Sequence, residues 1–174
     1  VTLDFATTAT AGTLSVYGSN SCGDGTSSTL NIFRDTKTLN LTLYLEGLYN
    51  GSNGLVKAQD CEDGENSFDL FAGTIADTLT VEIAQDSEPY TTVFIQHGVP
   101  IDINGIINLT TIPGTISGNY FIVIKHRNHI ETWSQSTSFT TSSVSYDFTD
   151  AVSKAWAENM VQVGGIYCIY TGDT

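Results

Sequence analysis

The chain has 174 residues, of which 14% are charged and 40% hydrophobic, and its formal net charge is −13 with only six lysines and arginines. Such a chain repels phosphate backbones and anionic lipid surfaces, so we expect no nucleic-acid partner and no membrane insertion. No apolar run approaches the roughly 20 residues that span a bilayer. The length predicts one domain that buries a core of its own.

The first strand pattern, VTLDFATTATAGTLSVYGS, covers residues 1–19. Its apolar positions alternate with polar ones, and they are Val1, Leu3, Phe5, Leu14 and Val16. The loop SNSCGDGTSS separates this stretch from the rest of the chain, so we predict an N-terminal strand segment, 1–19, and a β-sandwich domain, 20–174. The segment is either the first strand pair of that sandwich or a donor strand that completes the sheet of a neighbouring molecule.

Further strand patterns come at short intervals, each bounded by turn residues. LNLTLYLEGLY, at 39–49, places Leu39, Leu41, Leu43 and Leu45 on one face. The others are DTLTVEIAQD, TTVFIQH, GIINLTTI, NYFIVIKHR, STSFTTSS, VSYDFT and VQVGGIYCIYTG. About eight to ten short strands at this spacing predict an all-β fold, an immunoglobulin-like antiparallel β-sandwich.

The segment TDAVSKAWAENM breaks the strand pattern. Thr149 or Asp150 can cap a helix, and Val152, Trp156 and Met160 occur at a spacing of four. We predict one short helix near 150–160, of about two turns, over one end of the sandwich. In that helix Trp156 is a packing anchor.

Four stretches resemble a known family: LNLTLYLEGLYNG, YFIVIKHRNHIETWS, VSYDFTDAVSKAWAENM and VGGIYCIYTGD. They are similar to a β-rich domain of large secreted surface proteins of Bacteroidota-type bacteria, with its YYIVIKHRNSIETWS-like, YDFT and IYSGD motifs. The resemblance covers residues 38–174. It implies a secreted, extracellular or cell-surface location and a structural or adhesive role. His129 stands where the family pattern has a small residue, so the resemblance assigns it no chemistry.

The stretch KHRNHIETW concentrates charged and aromatic side chains on a predicted strand and turn. We expect Lys125 and Arg127 to pair with carboxylates at an edge of the sandwich, and Trp133 to pack at its corner. His126 and Glu131 complete this predicted structural seam.

A metal site is the alternative interpretation of the same stretch, formed by His126, His129, Glu131 and His97. Two histidines three residues apart share a face on a helix but not on a strand. We therefore expect His126 and His129 to lie apart.

The three cysteines show no metal-ligand spacing. Cys22 and Cys61 lie in similar loops, CGDG and CEDG, and we predict a disulfide between them. Cys168 lies in the apolar strand GIYCIY, which indicates a buried thiol.

The acidic loop QDCEDGEN is a candidate calcium site, because Ca²⁺ takes oxygen ligands from flexible loops. Its ligands would be Asp60, Glu62, Asp63 and Glu65, with Asp24 brought close by the predicted disulfide. The spacing differs from an EF-hand, and a solvated acidic loop is the alternative. We expect no other cofactor.

Two kinds of sugar chemistry have candidate residues. Asn40, Asn50 and Asn108 occupy N-linked glycosylation triplets, and Thr78 lies in a DTL triplet that resembles the O-glycosylation motif of Bacteroidota-type proteins. Aromatic rings that could stack on a bound sugar are Tyr44, Tyr49, Tyr90, Trp133 and Tyr170.

The sequence contains no GxSxG motif and no other recognised catalytic arrangement. We predict a non-enzymatic extracellular structural protein, a subunit of a bacterial cell-surface filament or adhesin whose copies join by β-strand addition. The alternative is a carbohydrate-binding module of a secreted multidomain protein.

Overall fold

The computed structural model describes residues 12–32, 35–60 and 67–172, and within them the fold is an all-β sandwich, as predicted. The donor-strand candidates Val1, Leu3 and Phe5 lie outside the described residues. The strands are β1 (Gly12–Val16), β2 (Ser19–Asn20), β3 (Gly23–Asp24), β4 (Ser28–Ile32), β5 (Thr36–Thr42), β6 (Gln59–Asp60), β7 (Phe68–Asp69), β8 (Ile75–Gln85), β9 (Thr92–Asp102), β10 (Ile106–Pro113), β11 (Asn119–His126), β12 (His129–Trp133), β13 (Thr137–Ser138), β14 (Ser143–Asp147), β15 (Val161–Val163) and β16 (Ile166–Cys168).

Two sheets form the sandwich. The larger has the order β12-β11-β8-β9, with β13 also paired to β11, and the smaller has the order β10-β5-β14. Strand β14 runs parallel to β5, whereas the other pairs in these two sheets are antiparallel. The chain enters β14 from the larger sheet and not through a hairpin from β5, so no tight turn forces it to reverse direction.

The core lies between the two sheets. Leu39 and Leu41 of β5 are fully buried against Ile83 of β8 and against Ile122 and Ile124 of β11. The alternation predicted for residues 39–49 is therefore confirmed within β5, which ends at Thr42, whereas Tyr44 is buried as well and Glu46–Leu48 form a 3₁₀ turn. Each of these side chains contributes roughly 2 kcal/mol through burial of its apolar surface.

The prediction of a single two-turn helix near 150–160 is wrong, because this segment forms two short 3₁₀ turns, Val152–Lys154 and Trp156–Glu158. Ala155 between them is extended and forms a β-bridge with Ser134. The backbone of Lys154 accepts a hydrogen bond from the N–H of Gln135 at 3.0 Å. Because the backbone carbonyl of Lys154 and the backbone of Ala155 pair with residues 134 and 135, they make no α-helical hydrogen bonds. Among the described residues, no helix is long and apolar enough to cross a membrane.

The N-terminal part of the structure is a separate β-hairpin. Strand β1 pairs with β4, and this two-stranded sheet belongs to neither sheet of the sandwich. Residues 12–16 of the predicted 1–19 segment therefore pair with residues 28–32, and Ser19 pairs with Asp24, so the predicted boundary divides the hairpin. Donation of this segment to a neighbour stays a prediction.

Candidate functional site

An aromatic cleft lies on the outer face of the larger sheet. Because Ile122 and Ile124 of β11 point into the core, Phe121 points outward. The rings of Tyr90, Trp133 and Trp156 surround the Phe121 ring at centroid distances of 6.1, 5.8 and 5.1 Å. These four side chains line a cavity of about 310 Å³, which we call the aromatic cleft. Phe121 is its buried floor, whereas half of Trp156 is exposed.

Two of the rings that line the cleft, Tyr90 and Trp156, lie at or next to residues with left-handed backbone. Tyr90, in the turn between β8 and β9, has a φ of 56°, and Ala157 and Glu158, directly after Trp156, have φ of 53° and 55°. Left-handed backbone at non-glycine residues costs on the order of 1–3 kcal/mol each and is concentrated at ligand clamps and active sites. The strain therefore marks the two segments that present Tyr90 and Trp156.

A chain of charged side chains borders the cleft. The indole nitrogen of Trp133 donates to Glu131 at 2.6 Å. Lys125 lies 3.3 Å from Glu131 and 2.8 Å from Glu82, and the Thr92 hydroxyl donates to Glu82 at 3.0 Å. The hydrogen bond with Glu82 is the main cause of the raised pKa of Lys125. We call these four polar side chains, Thr92, Glu82, Lys125 and Glu131, the charged rim.

The predicted seam divides into two places. Lys125, Glu131 and Trp133 belong to the cleft and its rim, whereas Arg127 and His126 meet at Asp77, at the far end of β11. Both terminal nitrogens of Arg127 donate to the Asp77 carboxylate at 2.5 Å. Burial alone would raise the pKa of Asp77, but the hydrogen bonds from Arg127 hold it below its usual value.

His126 and His129 meet, so the expectation that they lie apart is wrong. They flank a two-residue hairpin turn and pair across it, with their Nδ1 atoms 2.8 Å apart. A backbone N–H only donates, so the contact from the Gly47 N–H at 3.2 Å makes His129 Nε2 an acceptor. The proton of His129 then lies on Nδ1 and points at His126.

Burial disfavours the protonated form of both histidines. Burial lowers the pKa of His126 and lowers the pKa of His129 to about 4. His126 Nε2 faces Asp77 Oδ2 at 3.2 Å, an electrostatic contact without hydrogen-bond geometry. On its other side the hairpin holds the C-terminal segment, where the Gly172 N–H donates to Asn128 O at 2.8 Å.

The predicted metal set is not assembled in the part of the chain that the structure describes. Glu131 lies in the charged rim, and His97 Nδ1 lies 3.0 Å from the Thr80 hydroxyl. No group of three histidine, cysteine or carboxylate side chains there could hold a metal ion. The histidine pair is a structural clamp in this arrangement.

The candidate calcium site is described only in part. Asp24 lies in β3 and Asp60 in β6, and both are exposed. Glu62, Asp63, Glu65 and Cys61 lie outside the described residues. Cys22 is exposed and Cys168 is buried, and these two described cysteines are not bonded to each other. Calcium binding and the Cys22–Cys61 disulfide stay predictions.

The glycosylation candidates differ in accessibility. Asn108 donates to the Asn40 side chain at 2.7 Å, across β10 and β5, so both amides are engaged. Asn50 is exposed in a turn, where its side chain accepts from the Ser52 N–H at 2.8 Å. Thr78 is half-buried beside Asp77. All four acceptors stay predictions.

The structure selects among the predicted sugar-stacking rings. Tyr90 and Trp133 line the cleft, whereas Tyr44 is buried and packs against Tyr49 at 5.0 Å. Tyr170 is exposed outside the cleft. Sequence reasoning missed Trp156 as a cleft residue, because a helical spacing assigned it to packing.

Comparison of the chain with protein-family models, curated proteins and solved structures gives no match. Fold and site define the class of protein: an all-β sandwich with an aromatic cleft on the outer face of its larger sheet. The resemblance to secreted surface proteins of Bacteroidota-type bacteria stays a prediction.

Proposed function

We propose that the chain is a non-enzymatic, extracellular binding module that holds a carbohydrate in its aromatic cleft, as part of a secreted multidomain protein. The observation that carries this proposal is the convergence of Tyr90, Trp133 and Trp156 around Phe121, with rings still open to solvent. Exposed clusters of large apolar side chains are uncommon unless a ligand or partner uses them.

The chemistry of a sugar fits both parts of the site. One face of a pyranose ring presents C–H groups, which pack against the flat face of an aromatic side chain. Its hydroxyls need donors and acceptors at the border of that platform, and Glu131 and Lys125 supply both. A mostly apolar cavity with a few placed polar groups is the usual composition of a small-ligand site.

The charges favour a neutral sugar. Lys125 is shared by Glu82 and Glu131, so its charge is already compensated by two carboxylates. The net charge of −13 adds a repulsive field for anionic sugars. Uronic or sialic acids should therefore bind more weakly than neutral glycans.

The test is a screen of the purified chain against neutral and acidic glycans, followed by titration of tryptophan fluorescence. Trp156→Ala should weaken binding of a neutral hit at least tenfold. Tyr170→Ala, which removes an exposed aromatic ring outside the cleft, should bind like the wild type. Absence of any neutral hit, or equal losses in the two variants, would contradict the proposal.

A structural subunit joined by β-strand addition is the second candidate function. The observation in its favour is the β1–β4 hairpin, which lies outside both sheets of the sandwich and exposes Val16, Tyr17 and Leu30. Electron microscopy of the chain with and without residues 1–32 tests it. Filaments that disappear on deletion are the expected result, and dispersed monomers in both samples would contradict this candidate.

A further inference from the structure

We propose that residues 92–97 of β9 are the acceptor edge for the β1–β4 hairpin of a second copy of this chain. The inference rests on the second candidate function, β-strand addition, and names the surface that it uses. Two features of the molecule support it: the hairpin exposes apolar side chains, and one edge of the larger sheet has no backbone partner among the described residues.

The hairpin has one largely exposed apolar face. In its register Leu14 lies opposite Leu30, and Val16 lies two residues further along the same face. Val16 is 60% exposed and Leu30 61% exposed. A two-stranded hairpin alone is only marginally stable in water, so joining a larger sheet would stabilise it.

The β12 edge of the larger sheet is already covered. The Ile130 N–H donates to Tyr170 O at 2.9 Å, and Ser134 forms a bridge with Ala155. An incoming strand would have to displace both segments. Segments of the same chain therefore cover both ends of this edge.

The β9 edge is open. Strand β9 pairs with β8 on one side, and over residues 92–97 no described residue pairs with its other side. The sequence there, TVFIQH, carries no carboxylate, lysine or arginine, and Val93 and Ile95 are 40% and 47% exposed. A long, uncharged and apolar edge is a template for strand addition.

The smaller sheet offers poorer edges. Strand β14 has five residues, SVSYD, and ends in a carboxylate. The exposed positions in the middle of β10 are Asn108 and Thr110. Neither edge presents an alternating apolar surface that matches the hairpin.

The side chains of donor and acceptor also match. Ile95 is paired with Glu82 and faces outward, whereas Phe94 is paired with Ile83 and faces the core. A hairpin added beside β9 would place its apolar face next to Ile95 and extend the sheet. Donor and acceptor lie on different parts of one chain, so the contact is head-to-tail. Such a contact repeats from copy to copy, into a closed ring or an open filament according to the rotation between neighbours.

Mixing two complementary variants tests the acceptor edge. Ile95→Lys blocks the edge and keeps the hairpin, while deletion of residues 1–32 removes the hairpin and keeps the edge. The deletion leaves the core intact, since its residues lie between Leu39 and Ile169. Each variant alone should be a monomer in analytical ultracentrifugation. Their equimolar mixture should form dimers that grow no further.

Ile130→Lys is the matched control, because Ile130 is 46% exposed but lies on the covered β12 edge. It should assemble like the wild type. If the Ile95→Lys variant assembled by itself while the 1–32 deletion stayed monomeric, the β9 acceptor edge would be wrong, but strand addition by the hairpin would still hold. A monomeric wild type would overturn both. Val93→Lys replaces Ile95→Lys if thermal unfolding shows that the latter misfolds.

Discussion

Both terminal nitrogens of Arg127 donate a hydrogen bond to the Asp77 carboxylate, each at 2.5 Å, although the two residues are 50 positions apart in the sequence. The Asp77 carboxylate is buried, whereas nearly half of the Arg127 side chain is exposed. This pair fixes the turn of the β11–β12 hairpin on β8.

Arg127→Ala should lower the free energy of unfolding by about 1.5–3 kcal/mol, because among the described residues the buried Asp77 carboxylate then keeps only the Thr78 N–H and the contact with His126. Lys57→Ala is the control: it removes an ion pair with the exposed Asp69, whose Nζ–Oδ2 distance is 2.6 Å, and should cost less than about 1 kcal/mol. Urea unfolding measures both. Equal losses in the two variants would contradict the role of the pair.

Stability should fall as the pH drops from about 6.5 to about 4. The pKa of His129 is about 4 in the folded chain and 6.5 in the unfolded chain, so in this window only the unfolded state takes up the proton. The loss from this group is about 3 kcal/mol and does not increase below pH 4. His126, whose pKa is also lowered, acts in the same direction. The pKa of Asp77 is also lowered, but the stability that this ionised carboxylate contributes is lost only below its ordinary pKa of 3.8, outside this window.

Denaturant unfolding at several pH values checks this slope. His129→Gln removes one titrating group, so the dependence between pH 6.5 and 4 should become shallower. An unchanged slope in this variant would show that the histidine clamp does not cause it.

Gly105→Ala should be much more destabilising than Gly51→Ala. Both glycines have left-handed backbone, with φ of 75° and 77°, so the conformational penalty is the same. A Cβ at Gly105 would collide with Leu43 O and lie 2.7 Å from the Tyr44 ring, whereas at Gly51 it would meet nothing within 4 Å. The difference between the thermal unfolding midpoints of the two variants measures the cost of the steric clash at Gly105. Similar midpoints would argue against that clash.

Cys168 should resist alkylation in the folded protein. It is buried, and burial raises the pKa of its thiol to about 11, so little reactive thiolate forms near neutral pH. Cys22 is exposed and should react quickly with iodoacetamide after reduction. Mass spectrometry of the alkylated peptides checks this order. If Cys22 were alkylated only after reduction, the predicted disulfide with Cys61 would be supported.

Phe121→Ala should cost about 3–5 kcal/mol, because it removes the buried floor of the aromatic cleft. Trp156→Ala removes a larger side chain that is half exposed, so it should cost less. Chemical denaturation of both variants compares them. A greater loss for Trp156→Ala would mean that this ring supports the fold more than it serves a ligand.

Part of the site was predictable from local charge and alternation. Lys125 and Arg127 pair with carboxylates, and Trp133 lies at the border of the larger sheet, as the KHRNHIETW stretch indicated. Their partners Glu82 and Asp77 come from β8, about 40 to 50 residues earlier, and no local pattern identifies them.

The sequence by itself determined strand β5 and its part of the core, because the period of two in LNLTL decides which of its side chains are buried. In NYFIVIKHR the apolar run predicts a strand but not its burial, since residues 121–124 are all buried. Only the tertiary structure decided that His126 and His129 meet and that Trp156 joins the cleft. The meeting of the histidines depends on a two-residue turn. The position of Trp156 depends on Ala155, whose pairing with Ser134 replaces the predicted helix. The first contact results from a tight turn inside one hairpin, and the second from backbone pairing between separated segments. Neither leaves a periodic signal in the residues that it brings together.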